Sequence, residues 1–404
     1  MNFSYSEEQQ MLADTVTRWL AGEAELAPGN RDLAVSLGDS HPAPENRDFA
    51  AGTGDSHPAP GSRGAFSTER WLRLADLGLL GLNIPEEQGG LGATPVETLI
   101  VMQAFGRTLF AQPFVTAAVV APALIGSIGT TAQRSELLPR IASGALRVAL
   151  GALEPGARFD LADTRTTALR EGNTYTLQGD KAVVLYGDSA QVLIVSARTS
   201  GDRCDQEGIT LFLVDAAAAG VTIKGFPTLD GQRTAEIRLA DVRVPAEAIL
   251  GKVGSGYLPL EWAIDRGIAA LCAEAVGAME QLIELTAEHL RNRKQFGQPI
   301  GRFQALQHRV ADMRIAVEQA RSMALMAAAY ADRPERNDRR KALSAAKAMI
   351  GRSGTLVGQQ AVQLHGGMGM TAELAVGRYF KRLTCIDMTW GNTEHHVELY
   401  GDLL

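Results

Sequence analysis

The sequence predicts a mostly helical chain with a β-domain in its middle, and three observations carry that expectation. Apolar side chains recur at helical spacing through the first 145 residues and again from about residue 254 to the end. Between them lie short runs rich in Val, Ile, Leu and Thr, punctuated by Gly, Asp and Asn, the pattern of an antiparallel barrel or sandwich. The 404 residues, with 46% hydrophobic and 21% charged side chains, suffice for several such units. We therefore expect an N-terminal helical domain over 1–145, a middle β-domain over 146–253 and a C-terminal four-helix bundle over 254–404.

The first helix opens on a capping box, Ser6 with Gln9, and carries Leu12, Val16, Trp19 and Leu20 on one face. Its end is expected near Gly22. Residues 28–64 break the pattern: Gly38-Asp39-Ser40-His41-Pro42-Ala43-Pro44 reappears unchanged at Gly54 to Pro60. Few apolar side chains are there to bury, so 30–64 reads as a low-complexity surface insertion made by local duplication, its two histidines solvated rather than metal-binding. Helical patterns return with Trp71, Leu74 and Leu77, then Leu99, Met102 and Phe105, around a tight turn at Pro85-Glu86-Glu87-Gln88-Gly89-Gly90-Leu91-Gly92. Strand-like runs begin at Tyr175, Val183, Val192, Ile209, Val221 and Ala235. After Gly254, Leu271, Ala275, Ala278, Leu282 and Leu285 mark a long packed helix, and two more long helices follow Phe303 and Arg336 with alanine-rich faces.

Composition narrows the function. With 39 basic and 46 acidic residues the net charge is −7, which leaves no general basic surface for nucleic acid. Cys204, Cys272 and Cys385 are far apart and form no CxxC pair, so neither a disulfide framework nor a cysteine zinc site is expected, and no metal site of any kind. The longest apolar run, Val115 to Ile128, is too short to span a bilayer, and the opening Met1 to Glu8 has no signal-peptide pattern. A cytoplasmic location is the expectation.

The domain order and three motifs together resemble the acyl-CoA dehydrogenase family of flavoproteins. The motifs are Pro85 to Gly92, then Arg293-Lys294-Gln295-Phe296-Gly297-Gln298-Pro299-Ile300, then Gln363-Leu364-His365-Gly366-Gly367-Met368-Gly369. The likeness covers nearly the whole chain outside 28–64. It implies the family's fold, an FAD cofactor, an acyl-CoA substrate oxidised to the trans-2,3-enoyl thioester, and an electron-transfer flavoprotein as acceptor. It also implies cofactor contacts: Arg293, with Phe296 beside it, toward the FAD pyrophosphate of a neighbouring subunit, Gln363 near the same phosphates, and Gly366 and Gly367 where backbone approaches the dinucleotide. Asn392 and Thr393 fall where the family holds the adenosine end and the flavin-proximal phosphate.

The chemistry demands a carboxylate against a weakly acidic α-proton. The family keeps it either in a turn after the last bundle helix or on the long helix, 29 positions before the phenylalanine of the arginine motif. Here the turn reads Thr389-Trp390-Gly391-Asn392, and the helix position is Gly267. Neither can take a proton, so no catalytic residue is assigned. Asp265 lies two residues away, about 200° round the helix, and Glu274 lies seven residues on, about 10 Å along the axis. Glu274 could be a displaced base but reads better as a structural, hydrogen-bonded carboxylate. Leu153 and Leu185 stand where the family has hydroxyls toward the flavin ring, and Ala157-Arg158-Phe159-Asp160 replaces its Gly-Ser-Asp. A paired His395-His396 suggests surface or subunit-contact residues.

The endings Ala270 to Ala275 and Gly391 to His396 are similar to the small-subunit type of pimeloyl-CoA dehydrogenase and to bacterial steroid side-chain dehydrogenases. That resemblance implies an α2β2 assembly of unlike chains. Three readings stay open: one chain of a heteromeric enzyme whose partner supplies the base, a homo-oligomer with a displaced base such as Glu274, and a non-catalytic scaffold. The acyl group is not legible; the small residue at 267 either leaves room for a bulky substrate or serves close packing.

The insertion yields a first prediction. Deleting one repeat copy, residues 54–60, should move the Tm by no more than about 2 °C, because few apolar contacts are lost. A larger drop in a calorimetric scan, or slow amide exchange across 30–64, contradicts the reading.

Overall fold

The computed structural model describes residues 5–26, 66–371 and 373–404. The duplicated stretch with His41 and His57 lies outside the described residues. Helix α1 (Glu7–Leu26) begins at the expected capping box, with the Ser6 amide donating to Gln9 Oε1 (3.0 Å) and the Gln9 amide to Ser6 Oγ (3.2 Å). It continues past Gly22. A lone glycine costs an exposed helix about 1 kcal/mol, too little to stop one that is otherwise favourable. Helices α2 (Thr68–Asp76) and α3 (Pro95–Thr108) follow, the latter capped by Thr94 and Glu97. The apolar run is a π-helical turn, Val115–Val120, leading into α4 (Ala121–Ile128), and α5 (Thr131–Ala142) completes the group.

Eight strands make one sheet: β1 (Val148–Gly151), β2 (Thr167–Glu171), β3 (Thr174–Leu185), β4 (Val192–Arg198), β5 (Ile209–Asp215), β6 (Val221–Pro227), β7 (Arg233–Pro245) and β8 (Ile249–Leu250). The order is β6-β7-β3-β2-β4-β5-β8, antiparallel except for one parallel β2–β4 bridge, and β1 pairs parallel with β4. The sequence pattern missed β1 and β2 for opposite reasons: β1 is buried at every position, and β2 buries a single residue, so neither alternates. Val195, Phe212 and Leu239 lie in the β-domain's own core. A bulge in β3 opposite β7 places Val183 at φ +51 and turns the Val183–Leu185 segment out of regular register.

Four long helices form the C-terminal bundle: α6 (Tyr257–Asn292), α7 (Gln304–Tyr330), α8 (Arg336–His365) and α9 (Val376–Met388). Between α6 and α7 lies a short hairpin of β9 (Lys294–Gln295) and β10 (Gln298–Pro299), and α10 (Thr393–Asp402) packs on α8. The N-terminal helices share one core with the bundle. Their closest seam is α3 against α6, where two glycines interlock. A Cβ on Gly106 would lie 1.9 Å from the Glu274 carbonyl oxygen, and one on Gly277 would lie 1.9 Å from that of Gln103. No larger residue fits either place, and this seam sets the height of the 267–274 stretch of α6.

Candidate active site and dinucleotide groove

The two places where a base was expected converge. Gly267 sits on the buried face of α6, in its first third, and an added Cβ there would lie 2.4 Å from Cζ3 of Trp390 and 2.9 Å from Val120 Cγ2. Trp390 and Gly391 form the turn after α9, with φ +55 and +115. A Cβ on Gly391 would meet the rings of His395 and His396 at 2.6 Å. Both positions are therefore closed as well as uncharged: the indole occupies the space above Gly267, and the histidines occupy the space beside Gly391. The glycine at 267 serves close packing, the place of its side chain being taken by the indole.

Neither neighbouring carboxylate is free. Glu274 is buried and bidentate with Arg382, Nε to Oε1 at 2.5 Å and Nη2 to Oε2 at 2.6 Å, while Arg382 Nη1 also reaches Asp230 Oδ2 at 2.9 Å. Burial opposes the Arg382 charge, but Glu274 and Asp230 outweigh it and hold the guanidinium firmly protonated. This ion group ties α6 to α9 and to the β6–β7 loop. Asp265 is fully buried and receives Arg339 Nε (2.9 Å) and Arg340 Nη1 (3.0 Å) from α8. Burial raises its carboxyl above the ordinary range despite both guanidiniums. Both carboxylates hold the bundle together, and neither faces a vacant proton-acceptor position.

The turn itself is pinned from below. Lys347 of α8, wholly buried, donates to the carbonyls of Asp387 (2.8 Å) and Gly391 (2.6 Å). Burial pulls its ammonium down to about 8. His396, expected at the surface, is instead 1% exposed, with Nε2 3.2 Å from the Trp390 carbonyl and Nδ1 3.4 Å from Ser344 Oγ. Burial drives its pKa down to about 2, so the ring is neutral. It is inside because α10 lies flat on α8. Asn392 and Thr393 are engaged locally: Asn392 Oδ1 caps α10 through the His395 amide (3.1 Å), and Thr393 Oγ1 donates to Asp387 Oδ1 (2.9 Å).

Leu153 and Leu185 line two different cavities, separated by the Thr389–Trp390 turn. Leu153 lines one of about 290 Å³ with Ile264, Ile268 and Trp390, its mouth carrying Arg340 and His395. Phe159 packs on His395 with ring centroids 5.2 Å apart, and the Asp160 carboxylate accepts the Ala162 amide. The loop that carries them is anchored underneath by Glu154, which accepts from Lys181 Nζ (2.6 Å) and from the Arg165 and Thr166 amides. Leu185 borders a cavity of about 40 Å³ beside Tyr186, Glu274 and Arg382. That space suits a water or two, not a three-ring system. No side chain at 153, 183 or 185 can donate a hydrogen bond, so the hydroxyls expected toward a flavin ring are missing at these positions, while Gln112 Nε2 and Tyr186 Oη, both lining this space, are buried without a partner.

The other half of a dinucleotide fits well. Arg293, Gln363, Gly366 and Gly367 come together in an open groove of about 800 Å³ where the ends of α6 and α8 meet. Gly366 has φ +64 and bare space beside it, as does Gly367, so backbone borders the groove without a side chain between. Arg309 of α7 joins them, a residue that motif reading missed because α7 carries no motif. Phe296 stands outside the groove lining at the tip of the β9–β10 hairpin, 88% exposed at φ +53, with Gly297 at φ +78 completing the two-residue turn.

Family models match almost the whole of this architecture: the acyl-CoA dehydrogenase N-terminal domain over residues 45–145, the middle domain over 149–242 and the C-terminal domain over 254–403. The chain belongs to the acyl-CoA dehydrogenase family, whose members are oxidoreductases, and it has that family's fold. It is 29% identical over 399 residues to a probable acyl-CoA dehydrogenase, YngJ, of Bacillus subtilis, covering 98% of this chain and 97% of that one. It is 34% identical over 318 residues to cyclohexane-1-carbonyl-CoA dehydrogenase of Geobacter metallireducens, covering 76% and 81%. Among solved structures, a chain of the Tcur3481-Tcur3483 steroid ACAD superposes with a TM-score of 0.81 at 29% identity, covering 98% and 97%. Among the described residues no helix is long and apolar enough to cross a membrane.

The indole contact is testable by a double-mutant cycle. Gly267→Ala should cost about 1–3 kcal/mol in urea unfolding, and most of that cost should vanish in a Trp390→Ala background. Costs that add within about 0.5 kcal/mol would mean the two residues do not touch.

Proposed function

We propose that this chain is one subunit of a heteromeric, FAD-dependent acyl-CoA dehydrogenase that desaturates an acyl-CoA thioester between its α- and β-carbons, with a homologous partner packed through the C-terminal bundle. The observation that carries the proposal is Trp390 lying on Gly267. An indole has one N–H to donate and nothing to accept a proton, so the α-proton must leave to a carboxylate outside this chain. FAD, when bound, supplies the two-electron acceptor of the oxidation, and an electron-transfer flavoprotein is the onward acceptor.

On this reading the chain's own residues have a supporting task. Arg293, Gln363, Gly366 and Gly367 offer a guanidinium, an amide and bare backbone to the pyrophosphate end of a cofactor whose ring lies in the adjoining subunit. Asn392 and Thr393, engaged in capping and in bonding Asp387, have no free role toward this groove, and Phe296 is available to a neighbouring chain. The homo-oligomer with Glu274 as displaced base is disfavoured by the Arg382 pair, since protonating that carboxylate would leave the buried guanidinium with Asp230 alone. The scaffold reading is disfavoured by a groove that offers two arginines. A reducing cytoplasm agrees with three free cysteines.

Turnover with an artificial electron acceptor tests this. The isolated chain should fall two to four orders of magnitude or so below the co-expressed pair, the usual cost of a missing general base. Full activity from the isolated chain, abolished by Glu274→Gln, would instead establish the displaced base.

A further inference from the structure

We infer that His289 and His365 belong to the dinucleotide groove and that the groove takes up a proton when it closes on a diphosphate. The inference rests on reading the groove as the cofactor's pyrophosphate site, and it assigns a role to His289, which lies outside every motif, and to His365, to which the motif containing it gave none.

The two imidazoles are stacked, centroids 4.4 Å apart and planes 29° from parallel, and both line the groove. His289 is in the last turn of α6, one turn before Arg293; His365 is the last residue of α8, directly before Gly366. Each therefore sits where helix carbonyls favour a cation. The charged and titratable groups that line the groove are Arg293 and His289 from α6, Arg309 from α7 and His365 from α8. The hairpin and the turns contribute Gln295, Ile300, Met368 and Thr371, and no carboxylate lines it among the described residues. His365 Nδ1 is 2.8 Å from the Ala361 carbonyl, which fixes that nitrogen as the donor and leaves Nε2 as the proton acceptor.

Without an anion the pair stays neutral. Burial, then His365 and Arg293, pull His289 down to about 4, and burial lowers His365 although its bond to Ala361 works the other way. A bound diphosphate reverses the balance, because its negative charge offsets Arg293 and stabilises an imidazolium. Two imidazoliums cannot stack at this distance, so the uptake is at most one proton, drawn from solvent. The sign follows: the complex holds more protons than the free groove, so affinity rises as pH falls from 8 toward 5, by up to tenfold per pH unit.

The probe is FAD, titrated into deflavinated, assembled protein between pH 5 and 8 by flavin fluorescence. Calorimetry in buffers of different ionisation enthalpy counts the protons. His289→Phe and His365→Phe keep a ring in each place and remove the proton acceptor; Arg293→Ala reports on the groove itself. The expected result is a wild-type affinity that falls with pH, proton uptake approaching one at the acid end, and both the slope and the uptake lost in the phenylalanine variants. Arg293→Ala should weaken binding at least tenfold at every pH. A wild-type slope and proton count retained in both phenylalanine variants, with Arg293→Ala still weakened, would overturn the proton-linked pair and leave the groove. Unchanged binding in Arg293→Ala would overturn both.

Discussion

The contact between the Trp390 indole and the bare backbone of Gly267 governs the site. It requires glycine on α6, a turn after α9 that tolerates positive φ at two successive residues, and a fixed separation of the two helices. The separation is held by the Glu274–Arg382–Asp230 ion group, while the interlocked glycines seat α6 against α3. The turn is held by Lys347 and His396, both bonded to backbone carbonyls. A buried ion group of this kind adds little net stability compared with apolar packing, but removing one partner is severe, so it fixes geometry more than it contributes energy.

The same contact divides the chain's chemistry. In the middle of the molecule, where the family would carry out proton abstraction, an indole and two imidazoles fill the two base positions. At the far ends of α6 and α8, where a dinucleotide's phosphates would lie, the structure stays open and cationic, with no carboxylate in its lining among the described residues. A chain that had lost all function would have no physical reason to keep only the second region in this state. The division is what a subunit would show if it lends its groove to a neighbour's cofactor.

Much of this was legible in the residues. The order of helices and strands follows from periodicity, and Gly267 and Trp390 at the base positions could be read by counting. What could not be read was that the two positions touch. Their contact depends on how α6 and α9 are tied together, and α6 is seated against α3 by glycines at 106 and 277 that look like ordinary helix residues in sequence. The partner of Glu274 is 108 residues away, and no local pattern announces such a pair. Burial of His396 was likewise hidden, because a His-His dipeptide near a C-terminus is polar by composition and only the docking of α10 on α8 puts it inside. Asn392, expected at the cofactor, also caps α10, a second use of the same amide that no motif announces.

The most direct measurement is exchange of the substrate's α-protons with solvent deuterium, because it reports the base without needing the flavin to turn over. Acyl-CoA incubated in D2O with the isolated chain should gain no deuterium at Cα above the uncatalysed background, while the same substrate with the assembled pair should exchange readily. Rapid α-exchange by the isolated chain would contradict the account, because it would place a working base in a site that Trp390 is held to close.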